Sequence, residues 1–278
     1  TLINMAVGSG LILLGRGAEN RVTRRDGYCI VAFTWLLFTG FGMLPFYISG
    51  SIPSVTDAFF ETMSGFTTTG ATILDDIEAL SHGMLFWRSF SQWIGGLGIV
   101  FFTIAVLPIF GVGNQVLFSA EATGVTHDKI HPKISVMAQC LWTVYLVLTV
   151  AEIVLLLIGG MDLFDAACHA FSTTATGGYS TKQASVAYWN SPFIEYVIAI
   201  FMILSGINFS LYFMCMKGRC GQLFKDGELR LYLISIGAVT LIITGALYWY
   251  NNYGLEEAFR ISLFQVVSIH TSCGFATD

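Results

Sequence analysis

Three stretches of this chain, Val55 to Thr72, Asp162 to Ser180 and Glu256 to Thr277, repeat one pattern, and that repetition limits the fold more than any other feature. Each opens with an acidic residue followed by alanine: Asp57-Ala58, Asp165-Ala166 and Glu257-Ala258. Each then runs through a short apolar segment, meets a serine (Ser64, Ser172, Ser268) and closes on a Thr/Ser-rich turn with glycine. The glycines pair as Gly70, Gly177 and Gly274, spaced by roughly 100 residues, and repeats of this kind stack or close into rings. The apolar parts are too short to cross about 30 Å of hydrocarbon, so they read as re-entrant. Non-helical backbone at that depth is tolerated only inside protein or along a wet cavity. Three such bends therefore ask for one shared lumen. Amphipathic linkers outside the membrane would leave the repetition unexplained.

Five segments come near the ~20 apolar residues a spanning helix needs: about 28–48, 84–108, 136–160, 193–216 and 230–250. Composition agrees. Charged residues make up 11% of the chain, against about a quarter in a soluble domain, too few to build a water-facing surface. Most of the basic residues sit in three connections: Arg16, Arg21, Arg24 and Arg25; Lys129 and Lys133; Lys217, Arg219, Lys225 and Arg230. Positive connections stay cytoplasmic, so the three bends enter from outside. The outer connections hold Asp57, Glu61, Asp75, Asp76, Glu78, Asp162, Asp165, Glu256 and Glu257, an acidic vestibule that concentrates cations. Small residues at one depth, Gly95-Gly96 and Ser205-Gly206, suit close helix approach. Thr1 to Leu14 read as the end of a preceding membrane helix rather than a leader. The six cysteines lack CxxC spacing and read as small packing residues.

A dehydrated cation needs oxygen ligands in place of its water shell, and rings of main-chain carbonyls supply them. Glycine permits the backbone angles that aim successive carbonyls at one axis. The expected ligands are the carbonyls of Thr68, Thr69 and Gly70; Ala175, Thr176 and Gly177; and Ser272, Cys273 and Gly274. Alanine and cysteine side chains are poor ligands for a hard monovalent ion, which supports a backbone reading. The preceding short helices would turn the negative ends of their dipoles toward the lumen. Neutral walls suit potassium or sodium better than calcium.

These residues resemble a known family. Phe60-Glu61-Thr62-Met63-Ser64-Gly65-Phe66-Thr67-Thr68-Thr69-Gly70-Ala71-Thr72 resembles the first pore loop of bacterial Trk/Ktr-type potassium uptake transporters, and Gln92-Trp93-Ile94-Gly95-Gly96-Leu97-Gly98 the helix after it. Phe171-Ser172-Thr173-Thr174-Ala175-Thr176-Gly177-Gly178-Tyr179-Ser180 and Ser268-Ile269-His270-Thr271-Ser272-Cys273-Gly274-Phe275-Ala276-Thr277 are similar to the second and third loops. The likeness runs through nearly the whole chain and favours the Trk branch. It implies an all-α polytopic membrane protein of repeated helix–re-entrant pore loop–helix units, potassium-channel-like, around a central pore. It also implies four repeats, a homodimer in membrane lipid, a cytoplasmic nucleotide-binding regulatory ring, and potassium as the transported ion with no prosthetic group. The expected division is 1–20, the end of an extra N-terminal helix; 21–112, pore repeat 1; 113–222, a cytoplasmic loop and pore repeat 2; and 223–278, a truncated pore repeat 3. On this reading the chain is a fragment without the end of repeat three and without repeat four. Its expected place is the inner membrane of a bacterium.

Other polar residues carry weaker signals. Glu152, inside an apolar helix, needs a partner or a function: helix pairing or the ion path. Glu61 and His169 read as hydrogen-bonding residues beside the bends rather than ion ligands. His127 and His131 have a metal-compatible spacing without further ligands, and the surrounding loop, Gly111 to Lys133, suits docking of a regulatory subunit. No nucleophile, phosphate-loop or dinucleotide motif supports an enzyme, and the few basic residues do not suit nucleic acid. Sodium-coupled or weakly selective symport is the alternative within transport. A non-conducting membrane scaffold is the alternative outside it.

Overall fold

A computed structural model describes residues 2–15, 24–106, 134–216, 221, 225–251 and 253–277. Every regular element among them is helical: α1 (Leu2–Gly15), α2 (Arg24–Gly42), α3 (Leu44–Ile48), α4 (Val55–Phe66), α5 (His82–Val106), α6 (Ile134–Ile158), α7 (Leu163–Thr174), a 3-10 turn (Ser185–Trp189), α8 (Pro192–Ser205), α9 (Phe209–Met216), α10 (Gly227–Asn251) and α11 (Leu255–His270). Long apolar helices alternate with the short α4, α7 and α11, which occupy the three repeated stretches.

Three of the five expected spans are interrupted, each for a local reason. The first divides after Gly42, where Pro45 lacks the N–H that a continuous helix would use. In α5 the break falls at Gly98, with φ 46° and ψ 178°. The fourth span splits into α8 and α9 around Gly206, Ile207 and Asn208. By contrast α6 and α10 run unbroken for 25 residues each, roughly 37 Å at 1.5 Å per residue. Both are long and apolar enough to cross a membrane, with mean hydropathy of 2.4 and 2.0 over their best windows.

The breaks in α5 and α8 share a staple. The Tyr145 hydroxyl of α6 donates to the Trp93 carbonyl of α5 at 3.0 Å, and the Tyr232 hydroxyl of α10 donates to the Ile203 carbonyl of α8 at 3.1 Å. The same tyrosines lie over Gly96 and Gly206. Gly96 also faces Ala175, and Gly206 faces Thr271, so the expected close approach at Gly95-Gly96 and Ser205-Gly206 occurs against the ends of the short helices.

The short helices are begun by their own sequence. Ser54 and Asp162 cap α4 and α7, accepting from the N–H groups of Asp57 and Asp165. Acidic residues in the first turns of all three suit the positive end of the helix dipole. Ala58, Ala166 and Ala258 are fully buried. At 16 residues α11 is one turn longer than α4 and α7, at 12 each.

The main apolar core lies among α6, α8 and α11, where Leu156, Ile198, Met202, Phe264, Val267 and Phe275 interlock. The apolar residues turned outward mark the lipid face: Leu231, Ile234, Leu241 and Ile242 of α10 are exposed, and Trp249 and Tyr250 at its end suit the membrane–water boundary.

The basic residues outside the three basic connections, Arg88, Lys182 and Arg260, are each paired with acids at the short helices. Arg88 of α5 bonds Glu61 of α4, Lys182 lies 3.9 Å from Asp165 of α7, and Arg260 of α11 contacts Glu195 of α8 and Glu256. Cys29, Cys168 and Cys273 are free thiols; Cys215 is disulfide-bonded and departs from the packing reading. His127, His131 and the loop Gly111 to Lys133 lie outside the described residues, as do Arg16, Arg21, Lys217 and Arg219.

Candidate cation-binding site

Each short helix ends on a cap residue, Thr67, Ala175 or Thr271, and the next three residues adopt one alternating backbone. The first is left-handed (Thr68 φ 54°, Thr176 φ 52°, Ser272 φ 58°), and the third is a left-handed glycine (Gly70 φ 77°, Gly178 φ 75°, Gly274 φ 86°). Non-glycine residues rarely sit there, so three such residues at matched positions mark a built feature. Main-chain bonds back into the helix hold each turn: Thr68 N–H to Gly65, Thr176 N–H to Thr173, and Ser272 N–H to Ile269.

This backbone corrects the register expected from sequence. Gly178, not Gly177, is the counterpart of Gly70 and Gly274. Gly177 stands with Thr69 and Cys273, and Ala175 with the cap residues Thr67 and Thr271. With that register Ser64, Ser172 and Ser268 each fall six residues before the left-handed glycine. Ser64 donates to the Ala71 carbonyl at 2.6 Å and Ser268 to that of Phe275 at 2.7 Å, tying helix to exit strand.

The three bends meet. The bare α-carbon of Gly70 packs on the Gly177 carbonyl, and that of Gly178 on the Cys273 carbonyl. Gly70 and Gly178 thus each receive an oxygen from the middle residue of the following bend. Gly274 has no described neighbour within 4 Å of where a Cβ would stand. Among the described residues, no N–H or hydroxyl donates to the carbonyls of Thr68, Thr69, Gly70, Ala175, Thr176, Gly178, Ser272, Cys273 or Gly274. Gly177 differs, because its oxygen accepts from Gln92 Nε2 at 2.6 Å.

A polar residue six positions before each cap braces the exit strand. Glu61 accepts from Thr72 Oγ1 and Ile73 N–H, both at 3.0 Å. His169 donates from Nδ1 to the Asp165 carbonyl, which leaves Nε2 to accept from Ser180 at 2.9 Å. Gln265 donates to Thr277 at 3.3 Å. Glu61 and His169 are therefore hydrogen-bonding residues, as expected. Glu61 is buried, however, and does not belong to the acidic rim, whereas Asp57, Asp75, Asp76, Glu78, Asp162, Glu256 and Glu257 are exposed and Asp165 is half-buried. Glu152 is fully buried in α6, its carboxyl without a hydrogen-bond partner among the described residues. Arg88, Gln92 and Tyr179 bind the bends together, and the sequence reading missed all three as site residues. The signal available was the spacing of Arg88 and Gln92, one helical turn apart in an apolar segment.

A family model described as TrkH, cation transport protein, matches residues 1–278. The chain belongs to the TrkH family. It is 41% identical over 281 residues to the Trk system potassium uptake protein TrkH of Escherichia coli (strain K12), a match that covers 99% of this chain and 58% of the relative. It is 38% identical over 277 residues to TrkH of Halomonas elongata, again with 99% and 58% covered. Identity to the Trk system potassium uptake protein TrkG of Escherichia coli (strain K12) is 35%. The crystal structure of the potassium transporter TrkH from Vibrio parahaemolyticus superposes with a TM-score of 0.79 at 37% identity, covering 95% of this chain and 54% of that one. The chain thus spans a little over half the length of these TrkH relatives. It has the polytopic, pore-loop-bearing helical fold of the TrkH family.

Proposed function

We propose that the full-length protein takes up potassium across a bacterial inner membrane, and that this chain contributes three bends of a selective ring. The observation that carries the reading is the set of unpaired carbonyls where the bends converge. Thr69, Ser272 and Gly274 are exposed and Thr68, Gly70, Thr176 and Gly178 half-buried, so these unpaired carbonyls are open to whatever occupies the space between the bends. A cation stripped of its water is the partner such a cluster suits. The relatives named as potassium uptake proteins support potassium as the ion.

The proposed ligands are the carbonyls of Thr68, Thr69 and Gly70; Thr176 and Gly178; and Ser272, Cys273 and Gly274, with Ala175 at the inner edge and Gly177 as a positioned neighbour. The open side of Gly274 is where a further bend would continue the pattern made by Gly70 and Gly178. Dimer formation and docking of a cytoplasmic nucleotide-binding ring belong to the same proposal. Potassium is the cargo in this reading, and the chain performs no covalent chemistry.

The test is rubidium uptake into proteoliposomes holding the full-length protein, with and without sodium. Saturable uptake that potassium competes away and sodium leaves unchanged is the expected result. A strict sodium requirement would favour coupled symport, and no flux of any monovalent cation would favour a scaffold; either outcome overturns the reading.

A further inference from the structure

We infer that Gln92 is a specificity-determining positioning residue: with Arg88 it clamps the second bend against the first, while the third bend has no equivalent clamp. The inference rests on the cation-path reading above and adds which side chain sets the geometry of that path.

Gln92 is fully buried in α5. Its Nε2 donates to the Gly177 carbonyl at 2.6 Å, and its Oε1 accepts from the Tyr179 N–H at 3.1 Å. One side-chain amide therefore brackets Gly178, fixing the peptide group before it and the one after it. The bracket also explains Gly177, where a Cβ would collide with the Gln92 amide.

Arg88 stands one turn earlier on the same face of α5. It donates from Nε to Glu61 at 2.6 Å and from its guanidinium to the Ser180 carbonyl at 3.0 Å, with Cζ 3.6 Å from the centre of the Tyr179 ring. The Tyr179 hydroxyl donates to the carbonyls of Glu61, at 2.9 Å, and Ala71, at 3.2 Å. Helix α4, the exit of bend one and the exit of bend two are thus joined through α5.

The next repeat supplies an internal comparison. The matched Tyr145 and Tyr232 staples set α5 and α8 in register, pairing Trp93 with Ile203 and Gly96 with Gly206. In that register Arg88 corresponds to Ile198 and Gln92 to Met202, both fully buried and neither able to donate a hydrogen bond. The Cys273 carbonyl, counterpart of that of Gly177, accordingly has no donor among the described residues. Bend two is bonded to the preceding long helix through Gln92 and Arg88, whereas bend three takes its polar bonds from its own short helix and from Ser185 and Val186, with only apolar packing offered by Ile198 and Met202 of α8. Ion choice depends on the number and placement of carbonyl dipoles, so the residue that fixes two adjoining peptide groups sets discrimination.

The test uses the full-length protein in proteoliposomes and measures rubidium uptake against sodium competition for wild type, Gln92→Met and Gln92→Glu. Methionine is what the next repeat carries. Glutamate keeps the volume and the acceptor for Tyr179 but removes the donor to Gly177. Both variants should lose about tenfold of the preference for potassium over sodium, the ratio that one net hydrogen bond corresponds to. A purely structural role would lower the amount of folded protein and leave that ratio alone. Well-folded variants with the wild-type ratio would overturn the inference. Should the methionine variant fail to accumulate, the glutamate variant decides on the same criterion. Wild-type protein without monovalent flux would count against the cation path itself, a separate failure.

Discussion

Replacing Gly178 by alanine should reduce rubidium uptake by about two orders of magnitude or more, while Gly160→Ala leaves it near wild type. Both glycines are left-handed, Gly178 at φ 75° and Gly160 at φ 96°, so both substitutions incur the ~1–2 kcal/mol that a Cβ costs in that region. They differ in what the methyl group meets. Gly160 has nothing within 4 Å. At Gly178 the methyl enters the space of the Cys273 carbonyl, backbone against backbone, and no side chain can swing away to relieve it. One bend has to move, and the cluster of unpaired carbonyls moves with it. Gly70→Ala should behave like Gly178→Ala, because its methyl meets the Gly177 carbonyl in the same way. Wild-type membrane abundance and a monodisperse elution profile, measured beside uptake, separate a spoiled path from a spoiled fold. Near-normal flux through a well-folded Gly178→Ala protein would show that the bends do not meet as described.

Arg88→Met should destabilise the folded protein by about 3–5 kcal/mol, the usual cost of leaving a buried charge without its partner. The Glu61 and Arg88 side chains are 0% and 2% exposed, so water cannot replace the lost guanidinium. The double variant Glu61→Gln/Arg88→Met should recover most of the loss, since the one amide oxygen can still accept from Ile73 N–H while the amide NH2 donates to the Thr72 hydroxyl. A double-mutant cycle on thermal unfolding in detergent measures the coupling. Equal, additive losses in the two single variants would mean that the pair is not a closed unit. Full restoration of stability without restored potassium preference would assign Arg88 to the ion path through its bond to Ser180.

The short helices and their bends were legible because their signals are local: a cap, an acidic first turn, an apolar run, and a glycine that ends it. The Gly95-Gly96 and Ser205-Gly206 pairs were legible for a related reason, since small residues inside long apolar segments have few roles other than close approach. The register of the second bend was not. Gly177-Gly178 offers two glycines, and only backbone angles show which is left-handed and which is bare because Gln92 fills the space beside it. Arg88 was equally hidden. A single arginine early in an apolar helix reads as a group reaching for the membrane surface, and its partner Glu61 belongs to a different helix. The breaks at Gly98 and at Gly206 lie within apolar runs that hydropathy alone joins into continuous spans.

Those two interruptions have a mechanical consequence. The portion of α5 before Gly98 is pinned by Tyr145, and the portion of α8 before Gly206 by Tyr232, each tyrosine coming from the following repeat. Torque applied beyond either joint meets a pivot whose upstream arm is anchored to a neighbouring module. The anchoring therefore holds the arms beside the bends independently of whatever direction the helices take beyond each joint. Under the proposed function, a change of course in the helices beyond these joints would not require taking the ring of oxygens apart.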